Sequence, residues 1–107
     1  MEPERVAAHV AAFNDAVGTG AWPAFGRRFT EDAVMAFPGR PVPASHGRAA
    51  IVAAYLANPP DDTVSATAVA SRGATDEVSI AWSRGGTGRM TLTWSGDQVS
   101  RLVVVFD

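Results

Sequence analysis

The feature that most constrains this chain is a change of hydrophobic period near its middle. Val6, Val10, Phe13 and Val17 recur at helical spacing, whereas from Thr63 onward apolar residues alternate with polar ones. The first half therefore predicts helices and the second half strands. A helix is expected over 3–17: Pro3 suits a first helical turn, Glu2 and Glu4 favour its positive end, and Gly18 and Gly20 stop it. Trp22, Phe25 and Phe29 mark a second, short helix over 21–29. A strand over 33–37 follows, then a loop that Pro38, Gly39, Pro41 and Pro43 keep irregular. A third helix over 47–57 ends at Asn58-Pro59-Pro60.

Beyond that point Val64, Ala66, Ala68 and Ala70 share one face of a strand, as do Val78, Ile80 and Trp82, and Met90, Leu92 and Trp94. Arg72-Gly73, Gly85-Gly86 and Ser95-Gly96-Asp97 read as hairpin turns. The last run, 99–106, is apolar on both faces, which suits a central strand or one covered by helices and a partner subunit. Helices followed by a run of strands give an α+β domain, with three N-terminal helices packed on a curved antiparallel sheet. At 107 residues, one domain over 1–107 is expected.

Composition removes whole classes of chemistry. The chain has no cysteine, and all nine basic side chains are arginine. Thiolate nucleophiles, disulfides, cysteine zinc sites and Schiff-base lysines are excluded. A net charge of −2 with scattered arginines gives no footprint for nucleic acid or for an anionic membrane. The start MEPERVAAHV is acidic where a secretion signal is basic, so a cytoplasmic location is expected. The two histidines lie in no metal-binding spacing, and neither a metal nor another cofactor is expected. The glycine-rich stretch Arg84–Gly88 joins two strands and precedes no helix, so it does not suit phosphate.

Three stretches carry a family resemblance: FTEDAVMAFP at 29–38, HGRAAIVAAY at 46–55 and WSGDQVSRLVVVFD at 94–107. In order and spacing they resemble the NTF2-like superfamily, which includes ketosteroid isomerases, SnoaL-like polyketide cyclases and limonene epoxide hydrolases. The resemblance implies a cone-shaped fold around an apolar cavity and a homodimer formed through the sheet face. It also shows where an isomerase would keep its chemistry. The general-base position falls on Phe37, the oxyanion tyrosine on Phe13, and the second acid near Met90. All three are apolar here, so proton transfer of the isomerase kind is not expected.

Two polar candidates remain. His46, before Gly47 at the start of the third helix, is the candidate acid/base; Tyr55, one turn beyond Ile51, is its hydrogen-bonding companion. Phe13, Trp22, Phe25, Phe37, Trp82, Met90 and Trp94 are expected to line the pocket. His9, beside the first helix's stripe, is read as a surface histidine. Asp32 is read as a turn residue, and Asp76 and Glu77 as acids at a turn. The favoured function is a domain that binds a small hydrophobic ligand. Its alternatives are a cyclase, isomerase or dehydratase using His46 and Tyr55, and a structural dimerisation domain.

Overall fold

A computed structural model describes residues 3–107; Glu2 and its expected role at the helix start lie outside them. The first helix, α1 (Glu4–Thr19), begins after Pro3 and is rich in alanine, the best helix former. It ends where Gly20 turns left-handed at φ 76° and donates its N–H to the Ala16 carbonyl. Its buried face holds Val6, His9 and Ala16. Helix α2 (Trp22–Gly26) is shorter than expected, because Phe29 already opens strand β1 (Phe29–Ala36). Phe29 is fully buried either way, so its spacing from Phe25 alone does not distinguish a helix face from a strand start. After the proline loop come the two-residue strand β2 (Ser45–His46) and helix α3 (Arg48–Ala57). Strands β3 (Val64–Arg72), β4 (Thr75–Trp82), β5 (Thr87–Ser95) and β6 (Gln98–Phe106) complete the chain, turning where the glycines predicted.

The six strands form one sheet in the order β2-β1-β6-β5-β4-β3. It is mixed where a wholly antiparallel one was expected, since β1 runs parallel to β6. The α3 crossover carries the chain to the far edge, and the meander from β3 to β6 returns with β6 pointing the same way as β1. This makes β6 an internal strand, paired with β1 and β5, which accounts for its continuous apolar run. Register shifts in β1, β3 and β6 put local bends into the sheet, and the curved sheet leaves room between itself and the helices.

Polar contacts pin the helices to the rim of this sheet. Asn14 Nδ2 donates to the Val64 carbonyl (2.8 Å), and its Oδ1 accepts from the Val64 N–H (2.9 Å), which clamps α1 to β3. Arg48 donates twice to the Phe29 carbonyl, from Nε (2.9 Å) and Nη2 (2.7 Å), which ties α3 to β1. Among the described residues no helix is long and apolar enough to cross a membrane.

Candidate functional site

Between helices and sheet lies a cavity of about 420 Å³, within the range typical of small-molecule sites. Helix α1 contributes His9, Val10 and Phe13, and α3 contributes Tyr55. The sheet supplies Val64, Trp82, Met90, Leu102, Val104 and Phe106, with Phe37 just past the end of β1. Pro60, Asp61, Asp62 and Gly85 complete the lining from the loops. Asp61 and Gly85 are exposed while His9 is buried, so the loops form the mouth and His9 the deep end.

At the mouth, Trp82 stacks on Phe106 with centroids 5.5 Å apart. The rim carboxylates are already engaged. Asp61 pairs with Arg84 at 3.1 Å, and Asp62 accepts from the Ser83 hydroxyl and from the Arg84 N–H (3.0 Å). Farther in, Tyr55 stacks face to face on Trp22 at 4.4 Å, which fixes its ring. Burial pushes the Tyr55 phenol well above its ordinary pKa, so it remains a protonated donor.

His9 packs against Phe25 (5.3 Å), Phe29 (6.0 Å) and Trp94 (6.3 Å). It is only 2% exposed. Burial, assisted by the charge of Arg28, pulls its pKa down to about 3, so the imidazole is neutral at physiological pH. Its Nδ1 is enclosed without a hydrogen-bond partner. The expected surface histidine is thus a core residue. The sequence carried a signal for this: His9 lies three residues after Val6 and four before Phe13, inside the apolar stripe.

Asp76 corrects the sequence reading in the same way. It sits on β4 and is fully buried, in phase with Val78 and Ile80. Arg5 binds it through Nε (2.6 Å) and Nη2 (3.1 Å), and the Trp94 indole donates to it at 3.0 Å. Hydrogen bonding from Arg5 holds the carboxyl below the usual carboxylate range. Asp32 lies exposed on β1 and accepts from Thr30 at 2.9 Å. No backbone amide engages it among the described residues, so the expected turn role does not appear.

Of the residues expected in the pocket, Phe13, Phe37, Tyr55, Trp82 and Met90 line it. Trp22, Phe25 and Trp94 instead form the core behind that lining, because tight ring contacts turn them toward one another and toward His9. His46 is exposed on β2, paired in register with Val34, and is not part of the lining. The two-residue strand fixes it on the outermost edge of the sheet, away from Tyr55. Among the described residues no three of His, Asp and Glu gather as a metal-holding cluster.

A cone of helices on a curved, unclosed mixed sheet, holding an apolar cavity, is the architecture of NTF2-like proteins. The chain belongs to the SnoaL-like domain family, whose model matches residues 10–107. No curated protein sequence matches it. Among solved structures, it is similar to a hypothetical protein of ketosteroid isomerase-like fold from Catenulispora acidiphila, in complex with trimethylamine. The TM-score is 0.76 at 20% identity, with 100% of this chain and 88% of the other covered. A presumed ketosteroid isomerase from Kribbella flavida gives a TM-score of 0.75 at 22% identity, covering 97% of this chain and 78% of the other. An NTF-2 like protein of unknown function from Burkholderia xenovorans gives 0.73 at 16% identity, covering 97% and 84%. At these identities the likeness is one of fold.

Proposed function

We propose that this SnoaL-like domain binds a small, mostly apolar molecule in its cavity and does not carry out isomerase chemistry there. One observation carries the reading: the cavity is open, and Phe13, Phe37 and Met90 line it at the positions where the isomerase resemblance would put a tyrosine and two acids. Enolisation needs a base beside the substrate, and among the described residues the carboxylates of the lining, Asp61 and Asp62, are held at the mouth by Arg84 and Ser83. The exposed position of His46 weighs against the enzyme reading built on it and Tyr55. The test is a thermal-shift screen with uncharged lipophilic compounds on the wild type and on Met90→Trp, which fills the cavity. Ligands should raise the Tm of the wild type and leave the variant unmoved. An absence of shifts in the wild type would defeat the proposal.

The open face of the sheet supports a homodimer. Val103 and Val105 are half-buried there; Thr91, Thr93, Ser79 and Ala81 share the face, with Arg89 opposite Val105 and paired with Glu77 at 3.8 Å. Such a face packs closely against a copy of itself. Light scattering at micromolar concentration should give twice the 11.2 kDa chain mass, and a monomer would refute the pairing.

A further inference from the structure

His9 is the most buried polar residue of the lining, and its two nitrogens are not equivalent. Nδ1 is enclosed and has no partner. Nε2 is not among the enclosed unpartnered atoms, and no hydrogen bond reaches it among the described residues, which leaves the cavity as its surrounding. A neutral imidazole carries one proton, and the environment selects the nitrogen that bears it. A buried N–H without an acceptor is rarer in proteins than a buried acceptor without a donor. The proton therefore belongs on Nε2, and the bare lone pair on the enclosed Nδ1. The indole of Trp82 has no such choice: its buried, unpartnered Nε1 keeps its proton.

We propose that His9 is the polar anchor of the cavity, donating from Nε2 to an oxygen of an uncharged, mostly apolar ligand of the ketone or ester class. This rests on the ligand-binding reading above and sharpens it. The Nε2–H requires an acceptor, which an alkane or arene does not supply. The charge of Arg28, which reaches the ring, strengthens that donor. A carboxylate is disfavoured because it would have to pass the acidic mouth at Asp61 and Asp62 and then shed its water among Phe13, Met90 and Leu102.

The experiment uses three probes of matched shape: 2-acetylnaphthalene, 2-ethylnaphthalene and 2-naphthoate. Titration calorimetry on the wild type should rank the ketone above the hydrocarbon by about fivefold, the worth of one net hydrogen bond, with the carboxylate weakest. In His9→Phe the ketone and the hydrocarbon should bind alike. Nitrogen-15 NMR of His46→Gln, which leaves His9 as the single imidazole, should show a protonated Nε2 and a bare Nδ1. The Nε2 signal should move when the ketone is added. If none of the probes binds, the ligand-binding reading falls and the anchor falls with it. If ketone and hydrocarbon bind the wild type equally, if the carboxylate binds best, or if the proton is on Nδ1, the anchor alone is overturned. Should His9→Phe not fold, the wild-type ranking and the NMR tautomer still decide.

Discussion

Acid should loosen this fold through one imidazole before the carboxylates take part. In the folded chain burial holds the His9 pKa near 3; in the unfolded chain the ordinary value of 6.5 applies. As pH falls through 6.5 the unfolded chain gains a proton that the folded chain refuses, so the equilibrium moves toward unfolding. The folded state thus keeps its full stability above about pH 7 and loses it progressively down to about pH 3. At pH 4.5 the loss is the two pH units below 6.5, each worth about 1.4 kcal/mol, or roughly 3 kcal/mol. That is a large share of the ~5–15 kcal/mol that holds a domain of this size together. Urea unfolding at half-unit steps from pH 7.5 to 4.5 measures it directly. His9→Leu, close to it in size and unable to titrate, should remove most of this slope while carboxylate effects persist in both proteins. Taking the difference between the two curves cancels whatever His46 and the acids contribute. A wild-type curve flat down to pH 5, or a His9→Leu curve parallel to the wild type, would refute the assignment of a neutral, enclosed imidazole.

Other perturbations test the framework around the cavity. Arg5→Met should leave Asp76 charged and buried with the Trp94 donor alone; because Arg5 itself is about one-third exposed, the cost should be about 1–3 kcal/mol at pH 7 by urea unfolding. Because the pair lowers the Asp76 pKa, its contribution is present above the ordinary carboxylate value and is lost as pH falls through the lowered one. The gap between Arg5→Met and the wild type should accordingly narrow in strong acid, and a pH-independent gap would count against the pair. Gly88→Ala would bring a Cβ to 2.6 Å from the Val105 carbonyl oxygen, between two paired strands that cannot separate. It should lower stability by roughly 1–3 kcal/mol, and a neutral melt would show the strands to be looser than this. Asn14→Ala should cost about 1–3 kcal/mol and speed amide exchange at Val64, whose N–H loses its acceptor. Unchanged exchange at Val64 would mean that the clamp does not hold α1 to β3.

Much of the architecture was legible because periodicity carries it. The helical stripe, the alternation after Thr63 and the glycines at the turns each follow from which face must be dry. What the period could not reveal was pairing. Whether β6 meets β1 parallel or antiparallel depends on the route of the chain across α3, and no local pattern records that route. The two misplaced polar residues are a different case. His9 reads as a surface residue by type and Asp76 as a turn residue by its place after Gly73, although their phase with Val6 and Phe13, and with Val78 and Ile80, puts them inside. Phase was the better guide at both. A buried polar group then needs an explanation, and Asp76 has one in Arg5 and the Trp94 indole. His9 has none among the described residues. His46 shows the converse, since a histidine before a helix was read as functional from its position, while β2 turned it to solvent.

The cavity itself follows from how the helices are held. Phe13, Phe37 and Met90 are bulky, and apolar side chains facing one another across a gap would ordinarily close it, because an unfilled lining forfeits its dispersion contacts. Closure would require α1 and α3 to move down onto β5 and β6. The polar ties oppose that movement at the edges of the sheet: Asn14 at the start of β3, Arg5 on β4 and Arg48 on β1. Each anchors a helix to an outer strand or its neighbour; Arg5 also lies over Trp94 near the end of β5, and none of the three contacts Met90, behind the middle of the cavity. With the edges fixed and the sheet bent away between them, the centre stays open whatever apolar residues line it. The hole is a property of the frame, and the residues lining it determine only what it can hold. On that account Met90→Trp should fill the space with little movement of the helices, whereas Asn14→Ala, which adds nothing to the cavity, should let α1 settle toward the sheet and shrink it.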